Sequence, residues 1–268
     1  MLRKWKAKKY EKQERAEGEN MMFIPYVCCG DGGIAFTEKL VKALAPHSGI
    51  IELGIPFSDP IADGKTIQRA ANRALAGGAS VQEIFGMVMR LRKDGVQTPF
   101  VFMTYYNVVY AHGREKFLRK MKEAGVQGII VPDLPFEEDE EFEKMAQREG
   151  IAVVNLIAPN TKETRAGKIL AREKLFTYLV SVAGTTGARG EVKEESVEFV
   201  KRMRRLAGSG KKLCVGFGVA DAQSAQKFRD AGADGVIVGS RIIDICEKES
   251  EADALMQIGR LAREIREI

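Results

Sequence analysis

The sequence predicts an α/β fold, a single (β/α)₈ barrel with an extra N-terminal helix. Three observations carry this expectation. Eight short apolar runs alternate with amphipathic stretches; strands each followed by a helix form a parallel sheet, and eight such units close into a barrel. The chain has 268 residues, close to the ~250 of a barrel, and no Pro/Ser-rich or low-complexity linker divides it. Residues 1–268 therefore read as one domain, a basic helix over 1–20 and the barrel over 21–268. No Gly-x-Gly-x-x-Gly fingerprint follows the first strand, which argues against a doubly wound open sheet.

The first twenty residues hold seven Lys or Arg (Arg3, Lys4, Lys6, Lys8, Lys9, Lys12, Arg15) against four Glu. A basic leader suits nucleic acid or an acidic membrane surface. The interleaved Glu11, Glu14, Glu17 and Glu19 favour the solvated face of an amphipathic helix, with Trp5 as its apolar anchor. The run 21–29 has an apolar look, but it is short and contains Pro25, unlike a signal-peptide core. No apolar stretch approaches the ~20 residues that span a bilayer. The expectation is a soluble, cytoplasmic protein that binds neither nucleic acid nor membrane.

The strands are expected at residues 23–28, 49–53, 99–103, 128–131, 152–156, 175–180, 213–216 and 235–238. Between them lie helical patterns at 36–44, 66–76 with 81–93, 114–124, 138–149, 164–171, 194–206, 224–231 and 252–268. Two helix-to-strand joints, Ala-Gly-Val-Gln-Gly (124–128) and Ala-Gly-Ala-Asp-Gly (231–235), put a glycine where a helix C-terminus needs a left-handed residue. The cysteines Cys28, Cys29, Cys214 and Cys246 show no C-x-x-C spacing, and only His47 and His112 are present. Adjacent Cys28 and Cys29 point to opposite faces of a strand. No metal site is expected, and the thiols read as reduced packing residues.

In such barrels the chemistry lies at the C-terminal ends of the strands. The second strand ends in Ile51-Glu52-Leu53. If Ile51 and Leu53 face the helices, Glu52 points into the barrel mouth. A carboxyl group in an apolar tube has a raised pKa, which suits a residue that both gives and takes a proton; the alternative is a Glu paired with a cation to close the barrel end. Asp63 follows in an eleven-residue loop, long enough to cover a substrate. Taken alone, Asp63-Gly64 could be only a turn. The sixth strand runs into a Gly-rich segment, 182–190, of the kind a mobile lid needs. Gly216-Phe217-Gly218 and Gly239-Ser240 end the last two strands. That is the recurrent barrel phosphate site, where backbone N–H groups and a short helix N-terminus hold the anion.

The segment Ile-Glu-Leu-Gly-Ile-Pro-Phe-Ser-Asp-Pro-Ile-Ala-Asp-Gly (51–64) resembles the signature of the tryptophan synthase α subunit family. So do Phe-Ile-Pro-Tyr (23–26), Met-Thr-Tyr-Tyr-Asn (103–107), Val-Pro-Asp-Leu-Pro (131–135), Thr-Gly-Ala (186–188), Gly-Phe-Gly-Val (216–219) and Val-Gly-Ser (238–240), in the family's order. The resemblance implies a metal-free retro-aldol cleavage of indole-3-glycerol phosphate to indole and glyceraldehyde 3-phosphate, in tryptophan biosynthesis. It implies Glu52 as the acid/base and Asp63 as the group that stabilises the indole N–H. It implies Tyr178, Thr186, Ile67 and Phe217 around the substrate, and Gly187, Gly218, Gly239 and Ser240 around the phosphate. It also implies a β subunit partner in an α₂β₂ heterotetramer, with no cofactor in this chain and the pyridoxal phosphate in the partner.

The family usually has a small pair where this chain has Cys28-Cys29. Cys29 would end the first strand near the mouth, which predicts a site sensitive to thiol oxidation. Two other enzyme readings compete, a stand-alone lyase that releases free indole and another phosphate-binding barrel. The second has no need of the 58–63 loop. A non-catalytic module that only activates a partner has no need of Glu52 and Asp63.

Overall fold

The computed structural model describes residues 20–180, 192–216 and 218–268. The expected N-terminal helix with Trp5, the Gly-rich segment with Thr186 and Gly187, and Phe217 lie outside the described residues. Within them the elements run in chain order. The first half holds β1 (Met22–Cys28), α1 (Ile34–Leu44), β2 (Ile51–Gly54), α2 (Lys65–Ala76), α3 (Val81–Lys93), β3 (Phe100–Met103), α4 (Tyr106–His112), α5 (Arg114–Ala124) and β4 (Gly128–Ile130). Next come α6 (Glu140–Glu149), β5 (Ala152–Val153), β6 (Leu156–Ile157), α7 (Glu163–Ala171), β7 (Thr177–Leu179) and α8 (Glu194–Ala207). The chain ends with β8 (Leu213–Val215), α9 (Ala222–Asp230), β9 (Gly235–Val238), α10 (Ser240–Lys248) and α11 (Glu251–Arg266).

All strand pairs are parallel, in the order β5-β4-β3-β2-β1-β9-β8-β7-β6. The two ends of this order are neighbours in the chain. The Val154 N–H donates to Ile129 O at 2.9 Å, and the Tyr178 N–H to Asn155 O at 3.0 Å. Segment 152–157 thus pairs with β4 along its first half and with β7 along its second, which closes the barrel. The fifth strand, expected unbroken over 152–156, is two short pieces because its pairing passes from one neighbour to the other between Val154 and Asn155.

Alternation along the strands sorts the core into two layers. Ile24, Ile50, Val101, Ile130, Val154, Phe176, Tyr178, Cys214 and Ile237 pack inside the barrel. Their chain neighbours, among them Phe23, Ile51, Phe100, Phe102 and Ile129, pack against the helices. Between barrel and helices, Phe85 lies edge-on to both Phe102 and Phe117, with ring centroids 5.4 Å apart in each pair. Each such fully buried side chain contributes about 1.5–3 kcal/mol.

Local signals place several helix ends. Ser80 and Glu83 form a capping box that starts α3. Gly125 and Gly232, after α5 and α9, take φ of 75° and 99°, as their joints predicted. α4 was not expected, and α10 only as a short helix N-terminus at Gly239-Ser240. The first N–H of α4, on Tyr106, is capped by Asp133 Oδ1 at 2.8 Å, a residue 27 positions away, so no local start signal exists. α10 has no side-chain cap.

Candidate active site

Glu52 sits where alternation put it. Ile51 and Leu53 pack among the helices, and Glu52 stands between Tyr26 of β1 and Val101 of β3 in the register of the sheet. Its side chain is 1% exposed, and neither carboxyl oxygen has a hydrogen-bond partner among the described residues. Burial, and after it the charge of Asp63, push its pKa up to about 8. Among the described residues no Lys or Arg pairs with it, as the alternative of a closing cation would need.

Asp63 lies in the loop between β2 and α2, half-buried. Its Oδ2 accepts from the Tyr105 hydroxyl at 2.9 Å. The same hydroxyl accepts from the Ala62 N–H at 3.0 Å, and Phe57 stacks on the Tyr105 ring with centroids 5.3 Å apart. Gln68 Nε2 donates to the Asp63 carbonyl at 2.7 Å. The carboxylate is thus held by Tyr105 and the backbone of the same residue by Gln68, ties from two elements that a bare turn residue does not need. Burial raises its pKa, and the Tyr105 hydrogen bond opposes that rise.

Both carboxyl groups open on one cavity of about 1040 Å³, which Tyr26, Ile67, Tyr178, Gly218, Gly239 and Ser240 also line. Two glycines at strand ends make room for its tyrosines. A methyl on Gly54 would overlap the Tyr26 hydroxyl, and one on Gly216 would overlap the Tyr178 ring. Burial raises the pKa of both phenols, and the nearby carboxyl groups add to the effect, so both rings stay neutral.

The two glycine turns also line this cavity. Gly239 immediately precedes α10, whose N-terminus has no side-chain cap; among the described residues no side chain meets its first N–H groups, which suits an anion. The neighbouring α9 is closed by a capping box from Asp221 and Ser224, so its terminus is not available in the same way. Of the ten residues singled out from the sequence, Glu52, Asp63, Ile67, Tyr178, Gly218, Gly239 and Ser240 line this one cavity. Thr186, Gly187 and Phe217 lie outside the described residues. The reading of single positions missed Tyr26 and Tyr105. Tyr26 was accessible by counting alternate residues from Ile24. Tyr105 was not, since its hydroxyl meets a loop 42 residues away.

The cysteines fall differently from expectation. Cys28 and Cys29 do face opposite sides, Cys28 packing with Tyr26, Ala70, Ala71, Ala74 and Ile243. Cys29 is not at the mouth; it is fully buried on the helix side of the wall, and burial holds its thiol well above the ordinary range. Burial likewise pushes Cys28 up to about 12. Among the described residues no group of three or more His, Cys, Asp or Glu is placed to hold a metal ion.

Known proteins share this arrangement over most of the chain. The family model for the tryptophan synthase alpha chain matches residues 12–267. The tryptophan synthase alpha chain of Methanocaldococcus jannaschii is 42% identical over 242 residues, 90% of this chain and 84% of that one. That of Pyrococcus abyssi is 43% identical over 228 residues, 85% of this chain and 91% of the relative. In a solved structure of the tryptophan synthase a2b2 complex from Pyrococcus furiosus, one chain superposes with a TM-score of 0.86 at 40% identity, covering 93% of this chain and 99% of that chain. A match of this length, on a barrel with these residues in one cavity, places the chain in the tryptophan synthase alpha chain family.

Proposed function

We propose that this chain is the α subunit of a tryptophan synthase and cleaves indole-3-glycerol phosphate to indole and glyceraldehyde 3-phosphate. One observation carries the reading: a buried carboxyl group, with no hydrogen-bond partner among the described residues and pushed up to about 8, lining a cavity that also holds Asp63 and a helix N-terminus with no side-chain cap.

The chemistry follows from those properties. At pH 7 Glu52 is mostly neutral and acts first as an acid, giving its proton to C3 of the indole ring. The ring nitrogen becomes positively charged, and the Asp63 carboxylate accepts its N–H and opposes the charge. Glu52, now a carboxylate, takes the proton from the hydroxyl next to C3. The C–C bond breaks, its electron pair restores the aromatic ring, and Glu52 ends protonated as it began. Acid–base catalysis of this kind is worth about 10²–10⁴ in rate. Gly218, Gly239 and Ser240 hold the phosphate, fixing the reacting carbon against Glu52. Ile67 and Tyr178 flank the ring; the family resemblance assigns Phe217 and Thr186 to substrate contact and Gly187 to the phosphate. No step calls for a cofactor in this chain. Indole passes to a β subunit in an α₂β₂ assembly, and the pyridoxal phosphate belongs to that partner. A cytoplasmic site of action fits a chain in which no described helix is long and apolar enough to cross a membrane.

The test is to supply the purified chain with indole-3-glycerol phosphate and follow indole, alone and with a β subunit. Turnover is expected and rises with the partner; none in either condition overturns the reading. Glu52→Gln is expected to bind the substrate yet lose nearly all turnover. A variant that keeps more than about a tenth of the rate removes Glu52 from the acid/base role.

A further inference from the structure

We propose that Tyr105 is a positioning residue for Asp63: its hydroxyl orients the carboxylate, commits its one proton to Oδ2, and leaves Oδ1 for the substrate's N–H. The inference rests on the role given to Asp63 above and adds how that role is enforced.

The direction of the hydrogen bonds follows from donor and acceptor counting. The Ala62 N–H can only donate, so the Tyr105 oxygen accepts there, at 3.0 Å. The single phenolic proton then points to Asp63 Oδ2 at 2.9 Å. Among the described residues no donor reaches Oδ1. Tyr105 is 3% exposed and sits at the junction of β3 and α4, with Phe57 stacked on its ring at an interplanar angle of 29°. The next residue, Tyr106, is tied to Asp133. The ring therefore belongs to the rigid barrel frame, whereas Asp63 belongs to a loop. Through this one hydroxyl the frame sets both the orientation of the carboxylate and the backbone just before it.

The surroundings make the bond matter. The groups that act on or from Asp63 are Glu52 on β2, Tyr26 and Cys28 on β1, Tyr178 on β7 and Tyr105 itself. All are neutral or acidic. Lys65, two residues on, is exposed, and no cation pairs with Asp63 among the described residues. The Tyr105 hydroxyl is the group that favours the charged carboxylate against burial.

The experiment uses Tyr105→Phe in the full chain, with two readouts. The Asp63 carboxyl carbon is titrated by NMR without substrate, and the pH profile of kcat/KM is measured with indole-3-glycerol phosphate. The Asp63 midpoint is expected to rise by about one pH unit, and the acid limb of the profile to move with it, lowering kcat/KM about tenfold below that limb. A midpoint and limb both unmoved overturn the proposal, while wild-type turnover would still uphold the reaction. A shifted midpoint in a chain that never cleaves the substrate supports the positioning role and sinks the reaction. If the Phe variant does not fold, 3,5-difluorotyrosine at position 105 strengthens the bond instead. The Asp63 midpoint must then fall, and an unchanged value overturns the proposal.

Discussion

At the scale of single residues, Glu52 couples stability to pH. Its folded-state pKa of about 8 lies above the ordinary 4.5. A carboxyl group raised on folding stabilises the fold fully below its unfolded pKa, and that contribution is lost as pH rises through the folded value. The window runs from about 4.5 to about 8. At about 1.4 kcal/mol per pH unit, the full loss is on the order of 5 kcal/mol. Glu52→Gln carries no such charge. It is expected to match the wild type at pH 5 and to exceed it by a few kcal/mol at pH 9 in urea titrations; equal stability at both pH values would mean the carboxyl group is not buried uncharged. Cys28 and Cys29 give the opposite kind of prediction. Their raised pKa values leave almost no thiolate at neutral pH, so mild peroxide is expected to leave cleavage of indole-3-glycerol phosphate unchanged. Loss of activity on brief treatment would refute the burial argument.

At the scale of elements, two arginines tie helices to strand starts at the end of the barrel away from the site. Arg92, in the last turn of α3, donates to Val96 O at 2.7 Å, Thr98 O at 2.8 Å and Gly125 O at 2.8 Å, and lies over the Phe100 ring. Arg204, in the last turn of α8, donates in the same way to Gly208 O, Lys211 O and Gly232 O and pairs with Asp234. The two joints they serve are the two that share the Ala-Gly-x-x-Gly pattern. Arg92→Ala leaves several carbonyls without their donor and is expected to cost about 2–4 kcal/mol, with little change in KM. A loss under about 0.5 kcal/mol, the range of ordinary surface changes, would rule out the tie. At the other end of the barrel, Gly218→Asp sets a carboxylate in the turn that faces the α10 N-terminus. KM is expected to rise at least tenfold, with a stability loss of about 1–2 kcal/mol because Gly218 takes a left-handed φ of 64°; an unchanged KM would place the phosphate elsewhere.

For the molecule as a whole, the cavity face also carries large apolar side chains in water. Ile61 is 81% exposed in the loop before α2, and Tyr110 is 65% exposed on α4. Both elements follow strand ends on the face where the proposed partner would receive indole. Ile61→Ser is therefore expected to reduce the stimulation of cleavage by a β subunit about fivefold or more, a loss of roughly 1 kcal/mol or more in coupling, while thermal unfolding of the isolated chain stays put. Equal stimulation would remove this loop from the contact.

The barrel was legible because it is written in local patterns. Alternation of apolar residues along each strand, helical periodicity between strands, and glycines at the joints act over a few residues. Alternation alone aims Glu52 into the barrel, since Ile51 and Leu53 must both turn to the helices. Asp63 was different: its sequence context is that of a turn, and only the resemblance of the 51–64 segment raised it further. Its partner Tyr105 comes from another strand end, the cap of α4 comes from Asp133, and the split of the fifth strand depends on which neighbour each half meets. None of these leaves a local signal. What the sequence by itself determined is the fold, the family and the direction of Glu52, because those follow from periodicity and a long motif. What only the tertiary structure decided is the state of the site: a Glu52 with no hydrogen-bond partner among the described residues and held neutral by burial, an Asp63 whose tyrosine hydrogen bond opposes the effect of burial, and a Cys29 turned away from the mouth. Desolvation and hydrogen-bond direction depend on residues brought together from distant parts of the chain.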